Sequence, residues 1–202
     1  MIFHDLISAV LNEREPFHNI WFAGDFHTPP EFSYQVNFPR LELVLYGEYI
    51  NEMESHDRKV TNIVAQKGDA IFIPPNCWNK PDWDSDCSVL SILFGRRQLG
   101  LSFVSKRKGE ANFYDIQKHS IQTRSGFAID NILEALSSLA RENIKKPMDE
   151  LLLQALLQYA KTMLDAPVEQ QSQNRVQDLY QGICIYIQEN FHRAITRTSI
   201  AS

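Results

Sequence analysis

Lys67-Gly68-Asp69-Ala70-Ile71-Phe72-Ile73-Pro74-Pro75-Asn76 carries a strand together with its own start and stop signals. Gly68-Asp69 marks a tight turn, because glycine tolerates backbone angles closed to other residues and aspartate bonds its own turn. Residues 70–73 are apolar, with β-branched and aromatic side chains, as a short buried strand requires. Pro74-Pro75 ends the strand, since proline has no N–H to give to a ladder. The same texture extends to both sides, over residues 19–115. Residues 20–22, 32–36, 41–46, 60–64, 88–94 and 101–104 are further short runs rich in β-branched and aromatic residues, punctuated by Pro, Gly, Asn and Asp. Many short strands with close turns predict a β-sandwich or barrel.

Helical spacing brackets this region. Residues 3–12 place Leu6, Ile7, Val10 and Leu11 on one side of a short helix, which Pro16 ends. After Ser125 the period changes to three and four. Ile129, Ile132, Leu133, Leu136 and Leu139 form one stripe, and Leu151, Leu152, Ala155, Leu156, Tyr159 and Met163 form a second. The short break between them predicts an antiparallel helix pair. The width of its apolar surface predicts a homodimer contact, with Leu136 as an exposed member of the stripe. Residues 166–174 are polar and Gln-rich, as a linker is. Beyond them Val176, Leu179, Tyr180, Ile183, Ile187 and Phe191 make a third stripe. Thr196, Thr198 and Ser199 then offer capping hydroxyls to a helix opening with Ile200-Ala201.

Charge and cysteine usage exclude several classes. The formal net charge of −5 opposes a general nucleic-acid footprint. Cys77, Cys87 and Cys184 are odd in number and lack CxxC spacing, so neither a disulfide framework nor a zinc site is expected. The first residues have no long apolar core, hence no signal peptide, and no apolar run is long enough to span a membrane. The expected location is the cytoplasm.

Two patterns together resemble the AraC-type transcription regulators. One is Phe38-Pro39-Arg40 leading to a strand that ends at Tyr46-Gly47-Glu48, followed by the Gly68-Asp69…Pro74-Pro75 strand. The other is Asn174-Arg175-Val176, Tyr180, Ile187, Asn190, Phe191, then Ile195…Ile200-Ala201. The resemblance implies a mainly β fold with C-terminal helices (α+β): a cupin-like double-stranded β-helix barrel followed by an antiparallel helix pair. It implies an effector-binding and dimerisation domain over residues 1–165, a linker over 166–174, and over 175–202 the truncated start of a helix-turn-helix DNA-binding domain. The recognition helix that would enter the major groove is not in this stretch, so DNA contact is expected only through a missing C-terminal domain.

The pattern departs from metal-dependent cupins, which place histidines after the upstream glycine and after the proline strand. Here Cys77-Trp78-Asn79-Lys80 stands at the second position, so no metal, no cofactor and no enzymatic activity are expected. His18 and His27 are expected at the surface. The resemblance instead implies a small polar effector, a sugar or sugar derivative, held in the barrel. Sugars are recognised by aromatic faces and polar side chains, and Trp21, Tyr34, Arg40, Trp78, Asn79 and Trp83 are the candidates. For each one alone a structural role competes: Arg40 as a residue of the barrel rim, and Trp78, at a barrel mouth, as a rim side chain packed on the N-terminal arm. Lys106-Arg107-Lys108 is expected in a solvated turn. Two other functions stay open, a cupin isomerase or dioxygenase and an inert dimerisation module.

Overall fold

The computed structural model describes residues 2–165 except 25–26, 56–57, 124–126 and 143–146. These residues belong to one compact unit, Met1–Asp165. The expected linker and helix-turn-helix start, residues 166–202, lie outside the described residues. The chain runs α1 (Ile2–Leu11), β1 (Ile20–Phe22), β2 (Tyr34–Gln35), β3 (Arg40–Glu54), β4 (Val60–Gln66), β5 (Ala70–Ile73), β6 (Trp78–Asp82), β7 (Cys87–Phe94), β8 (Gln98–Lys106), β9 (Asp115–Gln122), α2 (Phe127–Glu142) and α3 (Pro147–Asp165). It is mainly β with C-terminal helices. Among the described residues no helix is long and apolar enough to cross a membrane.

The 15-residue strand β3 organises the sheets. Its first half lies between β5 and β7, in the order β1-β5-β3-β7-β8-β9. Its second half pairs with β4 and with β6, and β6 in turn pairs with β2. The strand was expected to end at residues 46–48, but it continues through a β-bulge between Val44 and Tyr46. Gly47 makes this possible, with φ at +70°. A Cβ there would lie 1.8 Å from the Asp86 carbonyl oxygen. Such a bulge lets one strand serve two sheets.

The bulge also changes which residues face inward. Before it, Leu41 and Leu43 join Ala70, Phe72, Leu90, Ile92 and Leu101 on the helix-covered face. Phe3 and Ile7 of α1, Ile129 and Leu136 of α2, and Leu153, Leu156 and Leu157 of α3 complete that core. Each leucine, isoleucine or phenylalanine among them, fully buried, contributes roughly 1.5–3 kcal/mol. On the opposite face Val44 joins Ile71, Ile73 and Val89, and after the bulge Tyr49 and Met53 do so. The inward residues are thus even-numbered before the bulge and odd-numbered after it.

Three expectations are corrected. β6 escapes detection because Pro81 interrupts it, although it pairs with the second half of β3 through Asn51↔Pro81. β9 escapes because its sequence, DIQKHSIQ, is largely polar and exposed, as suits a strand at the end of the sheet order. Leu136 is not exposed but completely buried against the sheet. Among the described residues of α2 and α3, the exposed large apolar side chains are Met148 and Leu151.

Candidate functional site

Alternation along β3 puts Arg40 and Glu42 on the same inward face as Val44, and both are buried. The β3 register with β6 and the bulge bring in Asn79, Tyr49 and Asn51, each no more than 1% exposed. A polar cluster therefore stands inside the fold, next to the apolar one. Arg40 Nη2 donates to Asn79 Oδ1 at 2.7 Å and to the Tyr34 carbonyl at 3.2 Å. Arg40 Nη1 lies 3.7 Å from Glu42 Oε1. Glu42 Oε2 accepts from the Tyr49 hydroxyl at 3.0 Å and from Asn51 Nδ2 at 3.4 Å, and Asn79 Nδ2 reaches both carboxylate oxygens at 3.4 Å.

The electrostatics follow from burial. Loss of solvent pushes the Glu42 carboxyl above its ordinary range, and the Arg40 charge and the hydrogen bonds from Tyr49 and Asn79 oppose that rise. Burial, then the Glu42 charge, pushes the Tyr49 phenol well up, so Tyr49 stays neutral and donates. Not every group is satisfied. Among the described residues Arg40 Nε, Trp78 Nε1, Trp21 Nε1 and Asn51 Oδ1 are buried without a hydrogen-bond partner. An unsatisfied buried polar atom costs about 1–3 kcal/mol. Three of these four atoms are donors, so an oxygen-rich molecule fits their chemistry.

Of the six candidate residues, Arg40 and Asn79 bond directly, and Tyr34 joins them through its backbone carbonyl. Trp83 reaches the cluster through Tyr49, with ring centroids 5.2 Å apart, and makes a T-shaped contact with Phe113 at 5.1 Å. Trp21 is partly buried against the same apolar cluster. Trp78 was expected at a barrel mouth; it opens β6 and is completely buried, so it is a core side chain with an unspent N–H. Glu42, Tyr49 and Asn51 were missed. The alternation Arg40-Leu41-Glu42-Leu43-Val44 held the signal for Glu42, two charges on one face of an otherwise apolar strand. Tyr49 and Asn51 had none, because the bulge decides their direction.

A second buried acid, Glu54, holds the segment that follows β1. It accepts the His27 backbone N–H at 2.7 Å, and its Oε2 lies 3.2 Å from His27 Nδ1. His27 is half exposed, yet it is tied to this carboxylate and not merely solvated. His18 is exposed, as expected. His56, expected as a solvated hairpin histidine, lies outside the described residues. Among the described residues, no three His, Cys, Asp or Glu side chains group as metal ligands would. Lys106 ends β8, and Arg107-Lys108 open the β8–β9 connection, with Arg107 3.9 Å over the Tyr114 ring.

No protein-family model matches the chain. Two curated relatives from Escherichia coli strain K12 do. The uncharacterised HTH-type transcriptional regulator YijO is 29% identical over 203 residues, 99% of this chain and 68% of that protein. The uncharacterised HTH-type transcriptional regulator YpdC is 31% identical over 201 residues, 98% of this chain and 67% of that protein. Identity of this level, running through nearly the whole chain and two thirds of YpdC, places the protein in the family of HTH-type transcriptional regulators.

Proposed function

We propose that this chain is the ligand-sensing and dimerisation region of an AraC-type DNA-binding regulator, and that its cupin-like barrel holds a sugar or another small polar metabolite. One observation carries the reading: the buried cluster of Arg40, Glu42, Asn79, Tyr49 and Asn51, with the Arg40, Trp78 and Trp21 N–H donors left without acceptors among the described residues. A fold that needed only stability gains little from burying an Arg–Glu pair, since apolar residues of similar volume stabilise as well or better. A polyhydroxylated ligand supplies the missing acceptors, and Trp83 and Trp21 offer faces for its C–H surface. The names of YijO and YpdC support a regulator over a cupin isomerase or dioxygenase.

The inert dimerisation module is the second reading. The complete burial of Trp78 and the mutual bonding of Glu42, Tyr49 and Asn79 favour it. A ligand separates the two by mass action, because it raises the melting temperature with its concentration. The test is a thermal melt against a panel of sugars and sugar acids. Trp21→Phe removes one unpartnered donor and keeps the ring, so the ligand-free melt should hold while the ligand-dependent rise shrinks. A flat panel makes the inert module the correct reading.

A further inference from the structure

A concavity lies on the helix side of the molecule, and none of the buried-cluster residues lines it. Its volume is about 480 Å³, within the range of small-molecule sites. Strand-end segments around Phe38, Asn76 and Phe94 form one wall, and α2 with Tyr159 of α3 forms the other. The walls are chemically uneven. Phe38, Phe94, Leu133 and Tyr159 supply an apolar, largely aromatic lining. Gln98 lines the cleft while more than nine-tenths buried, and its Nε2 has no acceptor among the described residues. Arg96 lines it too, exposed and without an ion-pair partner among the described residues. On α2, Asp130 and Glu134 stand one helical turn apart on the cleft wall, a like-charge i,i+4 pair that weakens an isolated helix.

These groups divide into an anion-seeking set, Gln98 Nε2 and Arg96, and a cation-seeking set, Asp130 and Glu134. Between them the lining suits an aromatic ring. We propose that the cleft binds a zwitterionic aromatic amino acid or a close derivative, with its carboxylate on Gln98 and Arg96, its ammonium on Asp130 and Glu134, and its ring against Phe94 and Tyr159. The buried cluster and the cleft are lined by different residues, so each can be occupied or fail on its own.

The test uses the full chain and three probes: L-phenylalanine, phenethylamine, which lacks the carboxylate, and 3-phenylpropionate, which lacks the ammonium. Calorimetry and thermal melts should show L-phenylalanine binding and raising the melting temperature with concentration. Each truncated probe should bind about tenfold more weakly, the loss expected for a charge-assisted contact. Asp130→Asn with Glu134→Gln should abolish the preference for L-phenylalanine over 3-phenylpropionate, and Arg96→Gln the preference over phenethylamine. All three substitutions are at exposed positions, so the variants should stay folded, and each probe shift is read against the variant's own ligand-free melt. The proposal is overturned by an absence of heat and melting shift with millimolar L-phenylalanine. It is equally overturned if the variants leave the probe preferences unchanged.

Discussion

Arg40 Nη2 donates a 2.7 Å hydrogen bond to Asn79 Oδ1 across 39 residues of chain, and both residues are buried. The same guanidinium faces Glu42, and Asn79 also bonds Glu42, so the three form a closed unit. Nothing local joins Asn79 to the other two. The contact exists because β3 pairs with β5 and β7 in its first half and with β6 in its second.

Arg40→Met should destabilise the protein by about 3–5 kcal/mol, because it leaves the Glu42 carboxylate buried without its countercharge. Arg40→Met with Glu42→Leu should recover much of that loss. Urea unfolding of both variants checks the pair, and equal stability of the single and double variants would show that the charges are not coupled.

The acid limb of the stability curve should carry the signature of Glu42. Its pKa is raised above the ordinary 4.5 in the fold, so the folded state holds the proton more tightly than the unfolded state does. That contribution is fully present below 4.5 and is lost as pH rises through the folded value. Between neutrality and that point, lowering the pH should shift the stability difference between wild type and Glu42→Gln in favour of the wild type. A difference that is independent of pH contradicts the raised pKa.

Gly47→Ala should be among the most damaging small substitutions. Positive φ costs an L-residue about 1–2 kcal/mol before any clash, and here the added Cβ would meet the Asp86 carbonyl oxygen at 1.8 Å. The expected loss exceeds about 3 kcal/mol. Ala at the exposed Gly109, where a Cβ meets nothing within 4 Å, is the control for positive φ alone. Chemical denaturation of the two variants compares them directly.

If the helices form a homodimer contact, Met148 and Leu151 are its exposed apolar residues, at 56% and 60%. Leu151→Glu should then convert dimer to monomer in light scattering with the melt nearly unchanged. Leu136→Glu should unfold the protein, because a fully buried site cannot solvate the new charge. A parent protein that is already monomeric at micromolar concentration removes the dimer.

Short-range signals made much of the fold legible. The Gly68-Asp69 turn, the Pro74-Pro75 stop and the three- and four-residue spacing around Leu136 and Leu156 are read within one turn or one strand. They placed α1, β1, β5, β7, α2 and α3 within four residues of their observed ends. β6 and β9 were illegible because Pro81 and the polar run in β9 imitate loop, and only their partners hold them extended.

Composition and local period by themselves determined a mainly β body, the helices on either side of it, and the placing of Arg40 at a strand start and Asn79 just past the prolines. Tertiary structure decided what those residues face. Strand period is strict, so a single bulge at residues 44–46 reverses every later side chain, and no local pattern announces it beyond Gly47 itself. Reading straight through would have sent Ile50 and Glu52 inward; the fold sends Tyr49, Asn51 and Met53 instead. Tyr49 and Asn51 therefore meet Glu42, and Asn79 arrives from β6, because long-range register, which spacing along the chain cannot encode, brings their strands together.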